Sequence, residues 1–180
     1  MQAAISEPAR IMSQESFARW ILAVLLLLAV AQNGFYYRHL PDRTATHFDL
    51  NGDADGWMTK GQATAFMLGI QIGLPLFLVG IAWATQFLPA SVINIPHREY
   101  WLHPDRRAVS LAYVRQCVGW IAVSASIFML LINHLVYRAN MTDGRLGSVW
   151  FGATLAVYLL FIAGFVIQLW RHFRLPAKAE

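Results

Sequence analysis

Residues 20–37 read WILAVLLLLAVAQNGFYY, 18 residues without one Asp, Glu, Lys or Arg. Three more charge-free runs follow: 37 residues between Lys60 and Arg98, 22 between Arg115 and Arg138, and 25 between Arg145 and Arg171. A bilayer's hydrocarbon core takes roughly 20 apolar helical residues to cross. The runs therefore predict four transmembrane helices: about 17–37, 62–88, 105 or 108 to 137, and 146–170. Strands are excluded, because the runs are too long and lack the alternation of a membrane barrel.

Composition agrees. Of 180 residues, 57% are hydrophobic and 13% charged, about half the charged share of a soluble domain. A soluble enzyme, a disordered chain and a disulfide scaffold are all excluded; the one cysteine, Cys117, has no partner in the chain. The expected organisation is a single all-α integral membrane domain over 1–180. It has an N-terminal segment 1–16, an ordered outer hairpin loop 38–61, an inner loop 89–107 and a tail 171–180. Ala29-Val30-Ala31 before Gln32 has the look of a signal-peptidase site, but the apolar run continues through Phe35, Tyr36 and Tyr37, which favours a retained helix.

Basic residues set the orientation. With the N-terminus cytoplasmic, nine are inside: Arg10, Arg19, Arg98, Arg106, Arg107, Arg115, Arg171, Arg174 and Lys178. Five are outside: Arg38, Arg43, Lys60, Arg138 and Arg145. The acidic residues divide evenly, so the whole net charge of +4 falls inside. Both termini are expected in the cytoplasm, and the charge needs no nucleic-acid partner to explain it.

Within the spans, Gln71, Gln116, Ser124, Ser126, Asn133, His134 and Gln168 read as interhelical hydrogen-bonding residues. Gly69 and Gly73 form a GxxxG pair, read as packing within this chain. Pro75 predicts a kink. The lack of carboxylates or ammonium groups mid-span weakens a permease or ion-handling reading.

The loop 38–61 supports two chemical readings. Asn51, Asp53 and Asp55 followed by Gly56 begin like an EF-hand calcium loop. Gln62 stands where a bidentate Glu is needed, and Pro41 interrupts the expected entering helix. The other reading is structural: Thr44 to Leu50 alternates like a strand, Asn51-Gly52 and Asp55-Gly56 are turn signals, and Thr59-x-x-Gln62 is a capping box opening the second span. Phe48 and Trp57 are then expected to cover the outer helix ends. The outer histidines His39, His47 and His134 lack the spacing of a dedicated zinc or copper site. Asn51, Asp53, Asp55 and His47 remain weak metal candidates, and no cofactor is expected.

Leu40-Pro41, His47-Phe48, Gly52, Asp55, Trp57 and Lys60 match the spacing L-P-x(5)-H-F-x(3)-G-x-x-D-x-W-x-x-K. In this the chain resembles a bacterial membrane domain of unknown function that includes the N-terminal part of SdpI-type proteins. Asn94-x-Pro96-His97-Arg98-Glu99-Tyr100-Trp101 is similar to a segment some members carry after the second span. The resemblance covers about residues 15–105. It implies the bacterial cytoplasmic membrane, an outer-loop site at His47, Phe48, Gly52, Asp55, Trp57 and Lys60, and, from the SdpI type, immunity to a secreted toxic peptide with sequestration of a repressor at the membrane.

The inner loop combines Pro96, Pro104, Tyr100, Trp101, Arg98, Arg106 and Arg107. It reads as an interfacial segment on anionic lipid, or as a docking surface at Arg98, Glu99, Tyr100 and Trp101. Asp105 is the expected N-cap of span three. No catalytic motif is present, and Ser124 and Ser126 have no base nearby in sequence, so the chain is not expected to be an enzyme. Three functions stay open: a binding, sensing or immunity module that contacts a membrane protein or a secreted peptide, an accessory subunit of a larger complex, and a small permease.

Overall fold

A computed structural model describes residues 2–175. Helix α1 runs Gln2–Tyr37, strands β1 and β2 are Arg43–Phe48 and Ala54–Thr59, and α2 is Lys60–Ala84. Two 3₁₀ turns, Thr85–Phe87 and Ala90–Val92, lead to the short helix α3 (Arg98–Trp101), followed by α4 (Pro104–Met141) and α5 (Ser148–His172). Four helical stretches are long and apolar enough to cross a membrane: Gln14–Tyr37, Lys60–Phe87, Pro104–Met141 and Ser148–His172. This is the expected four-helix membrane architecture, with a two-stranded antiparallel hairpin between the first two spans.

Several boundaries differ from expectation. The segment 1–16 is not separate, because α1 already begins at Gln2. At about 1.5 Å per residue, α1 and α4 are near 54 and 57 Å long and must project beyond the hydrocarbon core. Helix α4 is capped at His103, with Pro104 in its first turn, so Asp105 lies inside the helix and meets His103 Nδ1 at 3.2 Å. Proline suits that first turn because the amide it lacks would have no helical partner there. Residues 176–180 of the expected tail lie outside the described residues.

Helices α1, α2 and α4 form the packed centre, and α5 lies against α4. Among the described side chains the buried positions on α1 are Ile11, Ala18, Leu22, Ala29, Asn33 and Tyr36; those on α2 are Ala63, Met67, Gln71, Pro75 and Ala82. Steps of three, four and seven place each set on one stripe of its helix. Small residues on these stripes let backbones approach, as membrane helices require when lipid is as apolar as leucine. The GxxxG pair does not take part. Gly69 and Gly73 are exposed, and a Cβ built at either meets nothing within 4 Å. Packing within the chain is therefore not what this pair does. Among the α5 residues none is buried.

Candidate functional site: the anchored outer hairpin

The hairpin begins where α1 ends. Leu40 turns back into a cluster with Tyr36, Met67, Val136, Tyr137 and Leu146, and Phe48 packs against its edge. Thr44 is fully buried, and its hydroxyl donates to the carbonyl of Pro41 at 2.8 Å. At the other end, Thr59 and Gln62 form the expected capping box, so β2 passes directly into α2. Lys60 joins both ends of the excursion: its Nζ lies 3.6 Å from Asp42 and 5.1 Å from the Tyr37 ring centroid, and its amide donates to the Asp42 carbonyl.

Pairing runs Arg43 with Thr59, Thr44 with Met58, Ala45 with Trp57, His47 with Gly56 and Phe48 with Ala54, with a register irregularity around Thr46 and His47. Gly56 thus sits within β2 and not in a turn. It is needed there because a Cβ would come within 2.9 Å of the His47 Cβ. The Nδ1 of His47 lies 2.5 Å from an Asp55 carboxylate oxygen, on the exposed surface. Trp57 lies beneath the Arg43 guanidinium at 4.4 Å instead of covering the helix ends.

The turn is organised by Asp49. Its carboxylate accepts the amides of Asn51 at 2.8 Å and Asp53 at 2.9 Å, and its carbonyl accepts the amide of Gly52. These bonds, that of Asp53 foremost, hold the Asp49 carboxyl below its ordinary value of 3.8. Gly52 stands at φ +83°, where its carbonyl accepts the Leu146 amide at 2.8 Å, and a Cβ at that position would lie 2.3 Å from the Leu146 carbonyl oxygen. Glycine is therefore required twice over, by backbone angle and by space. Beside it Asp53 pairs with Arg145 at 2.7 Å. The hairpin is thereby tied to the α4–α5 connection.

A second tie reaches α4 itself. The Asn140 side chain accepts the Ala45 amide at 2.6 Å and donates to the Ala45 carbonyl at 2.9 Å. It satisfies the edge of β1 as a further strand would. Beyond the antiparallel Asp53–Arg145 bridge at its start, the far edge of β2 pairs with no strand among the described residues. Leu50 at the turn is fully exposed (101%), and Trp57 is 44% exposed.

The calcium and transition-metal readings find no common centre. Asp53 is directed to Arg145, Asp55 to His47, and Asn51 to Asp49. Among the described residues no group of three or more His, Cys, Asp or Glu could hold a metal ion.

Beneath the hairpin lies a polar chain that crosses three helices. Tyr137 donates to Asn33 Oδ1, the Asn33 amide donates to Gln71 Oε1 at 2.5 Å, Gln71 donates to Gln32 Oε1 at 3.1 Å, and Gln32 donates to the Leu130 carbonyl at 2.8 Å. Next to it the Tyr36 hydroxyl meets His134 Nδ1 at 2.7 Å. Gln71 and His134 were expected to bridge helices and do so. Ser124 and Ser126 instead bond carbonyls of their own helix. Gln32, Asn33, Tyr137 and Asn140 carry the tie without having been singled out in the sequence. The heptad-like spacing of Asn33 with Ala29 and Tyr36 is the signal that would have found Asn33.

At the opposite end, the inner loop residues mainly serve the fold. Trp101 donates its indole N–H to the Phe173 carbonyl at 3.0 Å and stacks on His172, which also stacks with Tyr113 at 3.6 Å between centroids. Its own carbonyl accepts from Ser110 of α4. Tyr100 lies under Arg106 at 4.1 Å, and Arg98 bonds the Ser91 carbonyl. Glu99 is exposed.

Fold and hairpin together define a multi-pass helical membrane protein with a β-hairpin pinned across one end of its helices. Residues 20–72, which span the membrane part of α1, the hairpin and half of α2, match the model of a family described as Domain of unknown function (DUF1648). No curated protein and no solved structure matches the chain.

Proposed function

We propose that this is a non-enzymatic recognition protein of the bacterial cytoplasmic membrane, in which the outer hairpin binds an extracytoplasmic peptide or membrane-protein partner. Both termini lie in the cytoplasm on this reading, as the nine-to-five division of basic residues favours. The supporting observation is the pair of hydrogen bonds between Asn140 and Ala45. It fixes β1 to α4 and leaves β2, past its bridged start at Asp53, as the open edge, beside exposed Leu50 and Trp57. An unpaired edge with flanking apolar side chains is the surface to which an extended peptide adds as a strand. His47, Phe48, Gly52, Asp55, Trp57 and Lys60 then act chiefly by giving the hairpin its shape. Helix α4 joins this surface to Trp101 and the inner loop, a continuous element along which binding would be felt at the other end. Immunity to a secreted peptide is the specific form this reading takes from the SdpI-type resemblance.

A photo-crosslinking amino acid at position 50, activated in cells with mass-spectrometric identification of adducts, tests the reading. A discrete adduct is expected. Lipid adducts alone would contradict it.

One observation favours a second reading. Helix α5 buries none of its residues, as befits an accessory subunit whose fourth helix is covered by a larger complex. Mild-detergent purification followed by native mass spectrometry separates the two: stoichiometric subunits support the second, and a homogeneous particle of this chain alone opposes it.

A further inference from the structure

Three clefts adjoin at the end of the bundle that carries the 89–107 loop, with volumes of about 280, 440 and 330 Å³, and all three share Arg115 as a wall. The first runs down between α1, α2 and α4, past Leu22, Leu76, Val79 and Gly80. The second shares Arg19 and Trp83 with the first and adds Gln86, and the third reaches Arg107. Together they make one groove, apolar toward the membrane centre and basic toward the bundle end.

The charges in this groove do not balance. Arg115 faces Glu15 at 3.6 Å, with both side chains about four-fifths covered. Among the described residues Arg19 bonds only the Ser16 hydroxyl, at 3.2 Å, and Arg107 bonds the Leu88 and Gln86 carbonyls. Among the described residues three guanidiniums and one carboxylate line the groove, leaving two positive charges at a depth where the exposed indoles of Trp20 and Trp83 mark the membrane interface. Basic pockets between membrane helices at this depth take anionic headgroups. The apolar arm is held open by small residues: a Cβ on Gly80 meets nothing within 4 Å, and one on Gly119 meets only Ala18, at 3.6 Å.

We propose that this groove is a binding site for one anionic diacyl phospholipid. Its phosphate lies between Arg19 and Arg115, and an acyl chain runs along Leu22, Leu76, Val79 and Gly80. Zwitterionic lipid carries a compensating ammonium and gains little from two guanidiniums. Free phosphate lacks the chain that the apolar arm takes.

The test uses the full-length protein, delipidated in detergent and then offered dioleoylphosphatidylglycerol, dioleoylphosphatidylcholine or inorganic phosphate, with bound species counted by native mass spectrometry. Retention of a single phosphatidylglycerol, about thirtyfold preferred over phosphatidylcholine, is expected, from roughly 1 kcal/mol for each of Arg19 and Arg115 near an anionic headgroup. Arg19→Gln, at an exposed position, lowers phosphatidylglycerol retention about fivefold and leaves phosphatidylcholine unchanged. Gly80→Phe fills the apolar arm and abolishes retention while preserving the lipid-free thermal midpoint. Equal retention of the two lipids, displacement of phosphatidylglycerol by inorganic phosphate, or wild-type retention in Arg19→Gln would each overturn the proposal. The Arg19→Gln arm decides even where Gly80→Phe does not fold.

Discussion

The Asn140 side chain stands in for a missing strand: it accepts the Ala45 amide at 2.6 Å, donates to the Ala45 carbonyl at 2.9 Å, and donates also to the Val136 carbonyl of its own helix. One residue thus links the membrane helix to the hairpin backbone. Asn140→Ala leaves both Ala45 groups without their partner, at a cost of about 1–3 kcal/mol. Asn140→Asp keeps the acceptor and loses the donor, and its loss should be intermediate. Denaturation in mixed micelles measures both. Equal stability of Asn140→Ala and wild type would show that the tie contributes nothing.

Gly52 and Gly144 make a controlled pair. Both have positive φ, +83° and +75°, but only a Cβ at Gly52 strikes a neighbour, the Leu146 carbonyl oxygen. Gly144→Ala should cost about 1–2 kcal/mol for the left-handed backbone alone. Gly52→Ala should cost more and should also release the hairpin from the α4–α5 connection. Hydrogen exchange at the Leu146 amide distinguishes them, with faster exchange expected in Gly52→Ala only.

The chain from Tyr137 through Asn33 to Gln71 predicts coupling between α1 and α2. Asn33→Ala and Gln71→Ala should each lose about 1–3 kcal/mol. The double variant should lose less than the sum, by about 0.6 and at most about 1.7 kcal/mol, the range for hydrogen bonds between membrane helices. Strict additivity in the cycle would show that the two amides act independently.

Acid should loosen the turn. The folded Asp49 carboxyl titrates below its ordinary value of 3.8 because backbone amides, first that of Asp53, donate to its charged form. Asp143 is lowered in the same way, first by the Arg145 amide. A lowered folded pKa gives stabilisation that is complete above the unfolded value and lost as pH falls through the folded one. Trp57 fluorescence, read against a variant whose other tryptophans are replaced, should stay constant from pH 7 to about 4 and change below it. Asp49→Asn should remove much of that low-pH change.

The four spans could be read from charge spacing, because a bilayer excludes ionised groups over a length the sequence displays directly. The hairpin, too, was readable from Asn51-Gly52 and from Thr59-x-x-Gln62, signals that act within a few residues. What escaped depends on which face of a helix turns inward. Gly69 and Gly73 carry a packing motif yet face outward, while Asn33 and Tyr137, unremarkable in apolar runs, hold the centre, and Asn140 at the end of α4 holds the hairpin. Periodicity is weak evidence when nearly every position of a helix is apolar. The 95 residues that separate Asn140 from Ala45 hide their partnership from any local pattern. The Asp55-Gly56 turn signal failed for another reason: glycine serves there to let His47 pass, inside a strand.

Crosslinking from position 50 in wild type and in Asn140→Ala, side by side in the same cells, tests most directly whether the pinned hairpin is a recognition surface. A discrete adduct in wild type that falls at least about fivefold in Asn140→Ala, with equal amounts of each protein in the membrane, is the expected result; the expected fall follows from losing roughly 1 kcal/mol or more of anchoring. An adduct of undiminished yield in Asn140→Ala, or none in wild type, would contradict it.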